Sequence, residues 1–179
     1  MAAGRFPQPA IIGNWPAIGG LSQGPWVSLP SLGSPDANPY ALAYQQSDLR
    51  LALGGAEGNV HVASTDSAGE RLDPACTYRV AGTPLLAQVF TLRAETADGV
   101  ALAPPAPLPA LVSSSAMVFS ASGYSVTVSA RAAPGNWLAL GGDAPFVLVL
   151  TLYDVAVGND NVGSGIVLPA ITRESCADA

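Results

Sequence analysis

Phe146-Val147-Leu148-Val149-Leu150-Thr151-Leu152-Tyr153 is an almost unbroken apolar run. It is strand-length and rich in residues that favour a pleated surface. A strand wet on one face alternates apolar and polar residues, so a continuous run predicts a strand covered on both faces. It falls well short of the ~20 apolar residues that a helix needs to span a bilayer, as does every other stretch.

Working outward, further short strands separated by turn residues emerge. Val60 and Val62 alternate with His61 and Ala63, and Thr77-Tyr78-Arg79-Val80 follows Cys76. Leu86 to Arg93 is β-rich and ends near an Asp98-Gly99 turn. Met117-Val118-Phe119 and Tyr124 to Ser129 alternate on either side of Ser122-Gly123, which suits a hairpin turn. Trp137-Leu138-Ala139-Leu140 precedes a Gly141-Gly142-Asp143 turn. Pro104, Pro105, Pro107 and Pro109 exclude residues 103–109 from any central strand and predict a stiff loop. One short helix is expected near residues 38–53, where Asn38 can cap, Pro39 suits the first position and Gly54-Gly55 ends the segment. Short strands without alternating helices predict an all-β fold, an antiparallel β-sandwich of jelly-roll type. Residues 1–35, rich in Gly, Pro and Trp, are expected to form an irregular N-terminal extension laid over a sandwich domain at 36–179.

Composition limits what such a domain can do. Of 179 residues only 11% are charged, against a usual value of about 25%, while 49% are hydrophobic. That excludes a disordered chain. The seven basic residues are all Arg, net charge is −6, and no basic stripe exists to neutralise phosphates, so no nucleic-acid partner is expected. A mean hydropathy of +0.35 with so little charge points to apolar surface beyond one core, and apolar surface marks interaction sites. No signal peptide is visible at the N-terminus.

Cys76 and Cys176 are too far apart for a CxxC redox or zinc pair. They are either two unrelated thiols or one disulfide closing a loop of ~100 residues, with Cα atoms about 5–6 Å apart. His61, the sole histidine, could act as a general base if Asp66 or Asp73 oriented it beside a cleft. The plainer reading is a strand histidine facing solvent. Asp66, Glu70 and Asp73 bracket Gly69 and could offer oxygens to a hard cation; a hairpin turn with Asp bonded to backbone and Gly at positive φ explains them more simply. The same holds for Asp154, Asn159, Asp160 and Asn161. No metal site or cofactor is expected. Trp15, Trp26 and Trp137 could line a glycan-stacking face, although a Trp beside Pro or Gly more often pins a loop to the core.

Thr65 to Asp73 followed by Cys76-Thr77-Tyr78-Arg79-Val80-Ala81-Gly82 is a distinctive stretch. With it occur, in order, Gly24-Pro25-Trp26, Gly33-Ser34-Pro35-Asp36 with Pro39-Tyr40, Pro134-Gly135-Asn136-Trp137-Leu138 and Leu150-Thr151-Leu152-Tyr153. Over residues 24–176 the chain resembles the DUF-twelve-fourteen family, a bacterial domain of unknown function whose small members look like exported or N-terminally anchored proteins. The resemblance implies a β-sandwich of jelly-roll type, a periplasmic or extracytoplasmic location with any membrane anchor outside this chain, and a Cys76–Cys176 bridge formed in an oxidising compartment. The chain departs from the family's pattern at Val89-Phe90 and at Ser113-Ser114-Ser115. The family supplies no catalytic residues to carry over.

The expected role is a non-enzymatic accessory or interaction subunit of a membrane or surface assembly, with a protein partner or self-assembly through residues 1–30 or 101–112. The alternatives are a carbohydrate-active or other hydrolase using His61 or carboxylates, and a glycan- or small-ligand-binding module.

Overall fold

A computed structural model describes residues 20–28, 39, 53, 57–97, 99–155 and 166–177. Among them are ten strands: β1 (Leu21–Gln23), β2 (Trp26–Ser28), β3 (Gly58–Ala63), β4 (Cys76–Gly82), β5 (Ala87–Thr96), β6 (Leu111–Ser113), β7 (Tyr124–Ser129), β8 (Trp137–Ala139), β9 (Phe146–Val155) and β10 (Ala170–Cys176). They form two sheets, one ordered β1-β2-β3-β9-β5-β6 and one ordered β10-β4-β7-β8. The all-β sandwich is thus the observed architecture. The expected helix at 38–53 lies outside the described residues apart from Pro39 and Leu53.

The opening run is β9, the spine of the larger sheet, paired along its length with β3 and β5. Phe146, Leu148, Leu150 and Leu152 face the main core between the sheets, whereas Val147 and Val149 join Val60 and Val62 in a second buried cluster on the opposite face. Both faces are covered, as the absence of alternation requires. In the smaller sheet Tyr78, Val80, Val126 and Val128 alternate inward to complete the core. Tyr78 meets Phe146 edge-on at 6.0 Å across the sandwich.

Three features differ from expectation. Residues 21–28, expected to be irregular, make the β1–β2 hairpin and extend the larger sheet through β3. Met117 to Phe119, expected as a strand, belongs to no sheet; the edge position is taken by the three-residue β6. The Ser122-Gly123 turn does form, with Ser120 and Gly123 bonded reciprocally. Gly123 sits at φ +128°, where an added Cβ would lie 2.2 Å from the Gly82 carbonyl oxygen. The sandwich is not wholly antiparallel, because β8 runs parallel to β7. A seven-residue return at 130–136 makes this possible for a strand of only three residues, and the Asn136 carbonyl takes the Thr127 N–H before β8 begins.

Cys76 and Cys176 are disulfide-bonded, their Cα atoms 3.8 Å apart rather than the expected 5–6 Å. They stand opposite one another in the β4–β10 ladder. The neighbouring Ala177 N–H to Ala75 carbonyl bond makes theirs a non-hydrogen-bonded pair, the closer of the two antiparallel spacings. The bridge closes a loop of 100 residues. Cys176→Ser should therefore lower unfolding free energy by roughly 4–5 kcal/mol on the chain-entropy account. Urea unfolding of the oxidised wild type against the variant measures this, and reductant should abolish the difference.

Candidate functional site

Several of the residues that looked chemical in sequence are buried or hydrogen-bonded within the sandwich. His61 is buried, not solvent-facing, at 7% exposure. Its register partners are Ser28 on β2 and Leu150 on β9, and it shares the inward row of β3 with Asn59 and Ala63. Its Nε2 has no hydrogen-bond partner, and burial alone pulls its pKa down to about 4. No carboxylate orients it through that nitrogen.

Asp66 is buried in the turn that follows β3. Its Oδ1 accepts the N–H groups of Ala68 and Glu70, both at 3.0 Å, and Gly69 takes φ +89°, as the turn reading requires. Its Oδ2 lies 3.3 Å from Arg173 Nε on β10. Arg173 also donates to the Arg71 carbonyl at 2.6 Å and sits 5.6 Å over the Tyr78 ring. Ser67 completes the clasp: its N–H donates to the Ile171 carbonyl, and its Oγ accepts the Ile171 N–H. Asp73 Oδ1 accepts the Ala75 N–H, while the Asp73 N–H donates to the Tyr78 hydroxyl. Asp66 and Asp73 are thus each bonded to backbone groups of their own turns. Among the described residues no group of three or more His, Cys, Asp or Glu side chains could hold a metal ion.

Among the described residues, Trp26 and Trp137 are both engaged in side-chain hydrogen bonds to the backbone. Trp26 is 1% exposed, and its Nε1 donates to the Pro169 carbonyl at 2.7 Å, tying β2 to the lead-in of β10. Trp137 is half-buried, its Nε1 shared between the carbonyl and hydroxyl of Ser129. Trp15 lies outside the described residues.

Two surface features remain. The first is a groove of about 650 Å³ on the outer face of the smaller sheet. Arg79, Ser125 and Thr127, which alternate with the core row, form its floor, and Val118 and Phe119 form one wall. Asn136 holds that wall. Its Oδ1 accepts the Val118 N–H at 2.8 Å, and its Nδ2 donates to the Val118 carbonyl at 2.8 Å and the Ser125 carbonyl at 3.0 Å. Beneath, Phe119 meets Tyr124 edge-on at 5.9 Å, and Tyr124 packs on Phe90 at 4.9 Å. Burial raises the Tyr124 phenol pKa, and its hydroxyl has no partner. None of these residues was singled out as a binding residue in the sequence. The Pro134-Gly135-Asn136-Trp137 motif was the signal that could have led to them.

The second feature is a ridge. Residues 105–111, Pro-Ala-Pro-Leu-Pro-Ala-Leu, are all apolar and all exposed except half-buried Pro109. The ridge is anchored where Ala139 donates to the Pro109 carbonyl, and just upstream where buried Leu102 donates to the Ala94 carbonyl.

A family model described as "Protein of unknown function (DUF1214)" matches residues 57–156. No curated protein matches the chain. Among solved structures, the VPA0106 protein from Vibrio parahaemolyticus is similar at a TM-score of 0.60 and 19% identity, over 78% of this chain and 36% of that one. An uncharacterised protein from Burkholderia cenocepacia is similar at a TM-score of 0.47 and 14% identity, over 72% of this chain and 32% of that one. The chain thus spans about a third of the length of either structure, and at 19% identity the Vibrio likeness shows the fold alone.

The buried histidine has a measurable consequence. The unfolded chain takes up a proton near pH 6.5 that folded His61 refuses until near pH 4. Its contribution is therefore complete above pH 6.5 and lost as the pH falls towards 4. Between pH 7 and 4.5 wild type should lose about 2–3 kcal/mol more than His61→Gln, measured by urea unfolding at both values.

Proposed function

The chain belongs to the family described as Protein of unknown function (DUF1214), and on that premise we propose that it is a non-enzymatic β-sandwich of the bacterial cell envelope, acting as an interaction subunit of a membrane or surface assembly. The observation that carries this reading is the 105–111 ridge. Seven consecutive apolar residues, anchored by backbone hydrogen bonds, present Leu108 and Leu111 at 41% and 47% exposure. Three of the seven are prolines without an N–H, so the ridge offers carbonyl acceptors and apolar faces but few donors. A partner protein suited to it stacks aromatic side chains on the prolines and aims N–H or O–H donors at the carbonyls between them. The Cys76–Cys176 bridge supports the compartment, since disulfides persist in oxidising surroundings.

A specific contact of this kind buries more than about 1,000 Å² in total, centred on the ridge. A photo-crosslinking residue at position 108 should give one discrete adduct in native membranes. Leu108→Glu with Leu111→Glu should abolish complex formation without moving the unfolding midpoint. A strict monomer by light scattering, with no adduct from intact membranes, would remove the reading.

A further inference from the structure

Beyond the partner-binding ridge, we infer that the groove over the smaller sheet is a binding site for a neutral saccharide. The chemistry of its lining selects that class. A pyranose presents an apolar C–H face and a rim of hydroxyl groups, so its site needs an accessible aromatic ring beside short polar side chains. Phe119 is 43% exposed at the groove wall, and Val118 beside it is 73% exposed. Ser125 and Thr127 bring hydroxyl groups to the floor. Arg79, whose side chain is half exposed, adds guanidinium N–H donors, its Nε lying 2.8 Å from Glu174 Oε1.

That ion pair also decides the charge of the ligand. Among the described residues Arg79 is the only charged one lining the groove, and Glu174 pairs with it from the adjacent strand. The site has no net positive charge to hold a carboxylate or phosphate, and the chain's net charge of −6 opposes any anion's approach. An anionic ligand is thus disfavoured at the floor and at long range, whereas a hydroxyl-rich neutral one meets donors and acceptors alike.

The wall is preorganised. An exposed Phe on a loose loop would lose conformational freedom on binding. Here Val118 is fixed on its N–H and its carbonyl by the one Asn136 amide, which is itself bonded to β7. The ring then rests edge-on against Tyr124, and Tyr124 against Phe90 in the core. A volume of about 650 Å³ is within the usual range of small-ligand sites.

The probes are maltotetraose, cellotetraose and chitotetraose, with a galacturonic-acid tetramer as acidic comparator, titrated into the intact protein and followed by backbone amide shifts. At least one neutral tetrasaccharide should cause saturable shifts at Ser120, Ser125 and Thr127 with a Kd of about 1 mM or tighter. Phe119→Ala should weaken binding about tenfold, and Phe119→Trp should retain or tighten it. Thr127→Val, which keeps size and removes a hydroxyl, should weaken binding severalfold and provides a readout independent of the ring. Tighter binding of the acidic tetramer, shifts mapping away from the groove, or no saturable shift with any neutral probe would each overturn the assignment. None of these outcomes bears on the 105–111 ridge, so the two readings fail separately.

Discussion

The sandwich depends on β9 being buried on both faces. Both rows of its side chains are hidden and both of its backbone edges are paired, with β3 and β5, so its ladder organises the larger sheet. One row, Phe146 to Leu152, supplies the large side chains of the main core, and Tyr78 of the smaller sheet meets that row through Phe146. The other row closes a second apolar cluster with Val60 and Val62. The strand order on either side follows outward from that spine.

The second constraint is the attachment of β10, whose Arg173, Glu174 and Ser175 are polar and which covers the flank of β4. Burial alone would hold such a strand weakly: only Ile171 is deeply buried. Specific bonds take over. Ser67 grips Ile171 at both backbone atoms, Arg173 reaches Asp66, Arg71 and Tyr78, Trp26 holds Pro169, and the disulfide fixes the far end. The distinctive Thr65–Gly82 stretch is thus a clasp. Its Asp, Ser and Arg residues satisfy buried backbone groups and a neighbouring strand, and leaving such groups unpaired would cost about 1–3 kcal/mol each.

How much of this was legible follows from the same physics. β3, β4, β5, β7 and β9 could be read because each is long enough to show alternation or a continuous apolar run. β1, β2 and β6 are three residues each, too short for any period, and β10 has a mostly exposed pattern. Trp26 could be read as an anchor, but its distant partner, Pro169, could not. His61 was misjudged because one residue's period does not tell which row of a strand faces inward when both rows of its neighbour β9 are apolar. The groove was out of reach for a different reason: Arg79, Phe119, Thr127 and Asn136 meet only after four separate segments are folded together.

The scarcity of charge gives the surface its character. Among the described residues three arginines are taken up in ion pairs, Arg79 with Glu174, Arg93 with Glu95 and Arg173 with Asp66. Two of these pairs have one deeply buried carboxylate, so their charge acts within the fold more than on its surroundings. The ridge and the groove themselves present mainly apolar shape and neutral hydrogen-bonding groups: prolines and leucines on the ridge, hydroxyls and one aromatic ring in the groove. Recognition built from such groups gains little from long-range attraction and depends on fit at contact. That makes rigidity the relevant asset, and both features have it, the ridge through backbone bonds at Pro109 and Leu102 and the groove wall through Asn136.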